Sequence, residues 1–197
     1  MKKLIITGFI ASTFLIACQE KKDSVKQAEE INEQNMKDSI VKLDKDDEKF
    51  MVKAANGGLM EIAAGKLAHE KATSKEVKEF GHHMMEDHKK ANEELKQLAE
   101  GKKVMLPDSL DNDAKDKLEK LSKKTGKDFD KAYMDAMVSD HKEDINKFED
   151  ASKNAKDPAI KSYAEKTLPT LKMHLEMAQK TDSLVKKSGK KLGSLKH

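Results

Sequence analysis

Four long stretches of this chain carry apolar residues at spacings of three and four, the period of one face of an α-helix. The clearest runs Val77, Phe80, Met84, His88, Ala91, Leu95, Leu98. A second is Phe129, Tyr133, Met137, His141, Ile145, Phe148, and a third is Ile160, Ala164, Thr167, Leu171, His174, Ala178. The first in chain order is built of small residues: Phe50, Ala54, Gly57/Gly58, Glu61, Ala64/Gly65, Ala68. A chain patterned this way buries its stripes by packing helix on helix. Few aromatics and many Lys, Glu, Ala, Leu and Met agree with an all-α fold.

Local signals divide the stripes into two hairpins. Asp44 to Asp47 suit the start of the first helix, and Thr73-x-x-Glu76 reads as a capping box for the second. Gly101 is expected to end the second helix, and residues 101–126 form a long connection broken by Pro107. Leu118 and Leu121 predict a short helix within it, and its length suits a crossover along the bundle. The third helix is predicted over about 127–153. Asp157 caps the fourth, with Pro158 at its first position; this helix is predicted to reach about 185, with a kink at Pro169. The expected architecture is a four-helix bundle of two antiparallel hairpins joined by a long connection with a short helix, over residues 44–187.

The ends read differently. Lys2-Lys3, the apolar run Leu4 to Ala17 and Leu15-Ile16-Ala17-Cys18 resemble a bacterial lipoprotein signal, cut before a lipidated Cys18. The run is too short for the ~20 residues of a spanning helix. Residues 1–17 are thus expected to be a signal peptide, 18–43 the lipidated Cys and a polar tether, and 188–197 a basic tail. A lipid anchor at Cys18 makes the membrane the expected partner. It places the chain in the cell envelope, at the outer membrane on its periplasmic side or at the cell surface. As the single Cys, Cys18 excludes an intramolecular disulfide. Charged residues are 38% of the chain, but both signs are interspersed and the net charge is only +3. There is no Arg, the usual bidentate reader of phosphate and guanine, so nucleic acid is not an expected partner. The sequence identifies no protein partner.

The motif Met-x-x-Asp-His-Lys occurs at Met84 and again at Met137, each time in the middle of a helix. Each of the four stripes carries one metal-ligand type: Glu61, His88, His141, His174. Glu61 lies 12 residues before Thr73 and His88 15 after it; His141 lies 16 before Asp157 and His174 17 after it. Each hairpin therefore brings its two groups to one level, and all four are expected to meet at mid-height. Buried without partners, they would cost ~1–3 kcal/mol or more per group. One satisfying solution is a divalent transition metal: iron, zinc, manganese or copper. The other is a hydrogen-bonded polar layer in which Glu61 pairs with protonated His. Asp87 and Asp140 are candidate supporting groups or extra ligands. Met84, Met137, Met173 and Met177 would suit copper as thioethers, or fill the core. Glu79 and His82 spell Glu-x-x-His but face away from the stripe.

Ala54-Ala55-Asn56-Gly57-Gly58-x-x-Glu61, Met84-x-x-Asp87-His88, Gly126-x-x-Phe129-Asp130-x-x-Tyr133, Asp140-His141 and Leu168-Pro169-x-Leu171-x-x-His174 resemble domain of unknown function 4142. The resemblance covers about residues 46–182. It implies a ferritin-like four-helix fold in exported bacterial proteins, some labelled predicted outer-membrane proteins, and no established activity. Ferritin-like di-iron proteins use a Glu from each of two helices and Glu-x-x-His from the other two. This chain has one stripe Glu, three stripe His and no inward Glu-x-x-His, which argues against a ferroxidase-type dinuclear centre. Three functions remain open: metal handling or stress protection in the envelope, a metal-free interaction module, and a metal-dependent redox enzyme. No catalytic residue is identified.

Overall fold

The computed structural model describes residues 23–193. Cys18 and the signal expected before it lie outside the described residues. Within them are six helices and no strand: α1 (Ser24–Lys37), α2 (Lys45–Lys71), α3 (Lys75–Lys102), α4 (Asn112–Ser122), α5 (Gly126–Asn154) and α6 (Pro158–Gly193). No described helix is long and apolar enough to cross a membrane.

α2 and α3 form one antiparallel hairpin, α5 and α6 the other, and two buried aspartates clamp them end to end. Asp130, in the first turns of α5, accepts from Thr73 N (2.9 Å), Ser74 N (2.9 Å) and Thr73 Oγ1 (2.5 Å) in the α2–α3 turn. Asp47, at the start of α2, accepts from Asp157 N (2.7 Å) and Lys156 N (3.0 Å) in the α5–α6 turn. Each hairpin thus caps the other's turn, which satisfies backbone donors that burial would otherwise orphan. The start of α5 lies beside the α2–α3 turn, and Lys102 at the end of α3 pairs with Asp157 beside the α5–α6 turn. The connection must therefore travel the full length of the bundle. It does so beside α1 and α2: Asn32 of α1 holds Met105 (2.7 and 2.9 Å), Asn56 of α2 holds Asp111 (2.9 and 3.0 Å), and Lys71 of α2 reaches Ser122 O. This is the ferritin-like crossover, with α3 parallel to α5.

Several boundaries differ from expectation. The cap of α3 is Ser74, whose hydroxyl accepts from Val77 N and donates to Glu76, because Thr73 is engaged by Asp130. α3 continues through Gly101 and ends at Lys103 in the left-handed region, φ 59°. Gly126 takes a positive φ of 58° as the chain enters α5. α6 runs through Pro169 and on to Gly193, past the expected limit near 185 and into the segment expected as a basic tail.

Residues 24–37, expected as part of a polar tether, form α1 and dock on the bundle. Asp23 caps α1 and also accepts from Asn112 N (2.8 Å). The fully buried Asn32 bonds Glu48 Oε1 (2.7 Å) as well as Met105. The contact is a polar clip, and an apolar stripe was the signal lacking.

The core divides in two. Toward the α5–α6 turn it contains Met51, Ala55, Leu95, Phe148, Ile160 and Leu171. Toward the α2–α3 turn it contains Phe80, Met84, Phe129, Tyr133, Met134 and Met137. Between the halves lies a polar layer.

Candidate metal centre

The layer is made by Glu61 on α2, His88 on α3, His141 on α5 and His174 on α6, exposed by 2, 6, 0 and 1%. The four helices therefore bring all four sequence-predicted groups together. One ring nitrogen from each of His88, His141 and His174 lies within 4.8 Å of the others. The three ring centroids are 5.3–5.8 Å apart.

The hydrogen bonds set the ring orientations. His141 Nδ1 lies 2.9 Å from Met137 O, one turn back on α5. A carbonyl only accepts, so Nδ1 carries the proton and Nε2 keeps its lone pair. His174 Nε2 lies 2.8 Å from Asp87 Oδ2, so it donates to the carboxylate and leaves Nδ1 as the lone-pair nitrogen. Asp87 thus orients His174 from the edge of the bundle. His88 Nε2 is 2.9 Å from Glu61 Oε2, and His141 Nδ1 is 3.2 Å from Glu61 Oε1. These are ion-pair distances without directed hydrogen bonds. Glu61 Oε1, His88 Nε2, His141 Nε2 and His174 Nδ1 are all buried and without a hydrogen-bond partner.

Burial would push the Glu61 carboxyl up, but the facing imidazoles of His88 and His141 outweigh it and bring it down to about 2. Burial works against a charged His88, and the Glu61 carboxylate outweighs it, so its pKa is raised. His174 is pushed down from 6.5 to about 4, mainly by burial. In the metal-free protein the charge on the layer therefore favours a Glu61–His88 pair beside a neutral His174.

Asp140 does not join the cluster. It turns toward α4, with Lys117 Nζ 3.9 Å from its carboxylate. The carboxylate the sequence reading missed is Asp144, one turn after His141. It is largely buried, and burial together with the Glu61 charge raises its pKa. Its spacing of three from His141 was the available signal. Asp144 and Glu61 line a cavity of about 470 Å³ that also touches His88, Asn92, Phe148 and Tyr163. The cavity occupies the half nearer the α5–α6 turn and reaches the polar layer from it. Tyr133, in the other half, is fully buried with a hydroxyl that has no partner; burial and the Glu61 charge raise its pKa.

Comparison with known proteins places this arrangement. The family model "Domain of unknown function (DUF4142)" matches residues 32–181. No curated protein matches the chain. Solved structures of similar fold include the following. A DUF305 fragment from Deinococcus radiodurans has a TM-score of 0.63 and 7% identity, over 74% of this chain and 98% of its own. CopM in the Cu(I)-bound form has a TM-score of 0.57 and 15% identity, over 68% and 93%. CopM in the Cu(II)-bound form has 0.57 and 14%, over 70% and 95%. At these identities the likeness is one of fold.

Proposed function

The chain belongs to the DUF4142 family, and from that premise we propose that it is a metal-handling protein holding a divalent transition metal in its polar layer. The observation that carries this reading is the set of orphaned atoms at one level: Glu61 Oε1, His88 Nε2, His141 Nε2 and His174 Nδ1. Left bare, each costs ~1–3 kcal/mol. A metal-free polar layer would pair all of these atoms; Glu61 does lie at ion-pair distance from His88 and His141, but His141 Nε2 and His174 Nδ1 have neither a hydrogen bond nor an ion pair. Three imidazoles and a carboxylate suit zinc, iron, manganese or copper. The copper-bound CopM neighbours support testing copper first. The Met137 carbonyl and the Asp87 carboxylate support ligation by fixing which nitrogen of His141 and His174 is bare, the usual role of groups behind metal-bound imidazoles.

A protein with this site, lipidated at Cys18 and facing the envelope space, would take up metal ions there and limit their reactions. The anchor rests on the lipobox alone. Cys18→Ser should abolish fatty-acid labelling and membrane fractionation.

The metal reading is tested by melting. Metal should raise the melting temperature by mass action, about 2.7 kcal/mol of stabilisation at a hundredfold excess over Kd. Ala at Glu61, His88, His141 or His174 should each cut that gain sharply. If all four variants are stabilised as the parent is, the site is not this layer.

A further inference from the structure

Among the described residues three further histidines lie outside the layer, all exposed: His69 on α2, and His82 and His83 on α3. We propose that His69 and His82 form a second, solvent-facing site for a divalent transition metal ion, separate from the buried layer.

The two residues belong to opposite helices, and the backbone fixes their relation. Gly65 and Gly81 let α2 and α3 touch: a Cβ on Gly65 would lie 2.6 Å from Gly81 O, and one on Gly81 would lie 2.7 Å from Gly65 O. The Gly81 Cβ would also lie 3.2 Å from His69 N, so the residue before His82 rests directly on the backbone of His69. This contact leaves the His69 and His82 rings 5.7 Å apart, tilted by 42°. An ion bound at about 2.0–2.1 Å from a ring nitrogen sits about 3.2 Å from the ring centroid. Two rings on one ion are therefore at most about 6.4 Å apart, and about 5.2 Å apart at a tetrahedral angle. The observed spacing lies between these values and matches the 5.3–5.8 Å spacings in the buried triad.

The neighbourhood leaves the pair available. Among the described residues neither ring makes a hydrogen bond or ion pair. The nearby carboxylates have lysine partners on their own helix: Glu79 with Lys75 at 3.3 Å and Glu86 with Lys89 at 3.4 Å. His83 is 6.3 Å from His82, near the limit for sharing an ion, and projects about 100° around the helix from it. The pair is thus a two-imidazole clip whose other coordination positions go to water, and it exchanges its ion readily. Six residues along α3 separate His82 from His88, about 9 Å of axial rise. The clip would therefore hold an ion at the surface of the half of the bundle that lacks the cavity.

Titration of the full chain with Zn²⁺ alone, followed by a chelator chase, separates the two sites by exchange rate. The parent should show a class stripped at once and a class retained. His69→Ala and His82→Ala should each lower the affinity of the fast class by about tenfold or more, since one imidazole forfeits the advantage of two held together. The double variant should lose no more than either single, the signature of two groups acting as one ligand. His141→Ala should remove the retained class and spare the fast one. The proposal is overturned if either single variant keeps the parent's fast class. It also falls if the two losses simply add, if His83→Ala does as much damage as His82→Ala, or if the fast class disappears with His141→Ala. A parent with a fast class and no retained one would instead sink the buried-layer reading and leave this one standing.

Discussion

α2 carries two pairs of small-residue contacts, and they do opposite work on the two sides of the polar layer. Below it, Gly65 meets Gly81 backbone to backbone, and Ala64, Ala68, Phe80, Tyr133 and Met137 seal the space at 0–2% exposure. Above it, Gly57 meets only Asp144, at 3.8 Å from where its Cβ would be, and an approach of about 470 Å³ stays open as far as Glu61 and His88. The Gly65–Gly81 pair is used for contact, the space at Gly58 is filled by the Asn92 side chain, and Gly57 faces the vacancy. The layer thus has a sealed apolar floor and a roof open to the cavity. The lesson is that a small residue in a helix stripe has no fixed meaning; the partner helix decides whether its missing side chain is filled.

The contrast can be broken most severely at the floor. Gly81→Val places branched carbons against Gly65 O and Ala68 Cβ, and backbone has little room to yield. We predict a loss of about 3 kcal/mol or more by denaturant unfolding; a loss under about 1 kcal/mol would show that the contact is not tight.

The next effect belongs to the layer itself. The folded pKa of His174 is depressed from 6.5 to about 4. Below 6.5 the unfolded chain takes a proton that the folded chain refuses. The contribution of His174 is therefore complete above 6.5 and drains as pH falls toward 4. Compared with a His174→Gln variant, the metal-free parent should lose up to about 3 kcal/mol across that window. His88 acts in the opposite sense, its raised pKa giving stability that is lost as pH rises, which is why the comparison is made against the variant. A parent-minus-variant difference flat from pH 7 to 4 would contradict a buried neutral His174.

Smaller changes separate floor from roof. Tyr133→Phe removes a buried hydroxyl that has no partner and should stabilise the metal-free protein by about 1 kcal/mol. A loss instead would mean that the hydroxyl serves the layer. Gly57→Ala should raise stability by about 0.5–1 kcal/mol, since the added methyl meets only an ordinary contact and the helix gains propensity. It should also slow metal uptake in stopped-flow mixing by narrowing the approach. Destabilisation at Gly57 comparable to that at Gly81 would erase the distinction between the two halves.

The sequence by itself determined the four bundle helices, their pairing and the four residues of the layer. Those properties are periodic along one chain: a residue's place on a stripe and its count from a turn are fixed by 3.6 residues per turn and 1.5 Å of rise. Glu61, His88, His141 and His174 were legible for that reason. Tertiary structure alone decided the rest. Asp140 and Asp144 both lie within one turn of His141, but α4 draws Asp140 aside while Asp144 faces the cavity. α1 was invisible because Asn32 docks it through hydrogen bonds to Glu48 and Met105, partners the local pattern cannot announce. Thr73 lost its expected cap role to Asp130, far along the chain. Which nitrogen of each histidine stays bare, and which glycines close and which open, depend on atoms of another helix at a few ångströms. No spacing along a single helix encodes those distances.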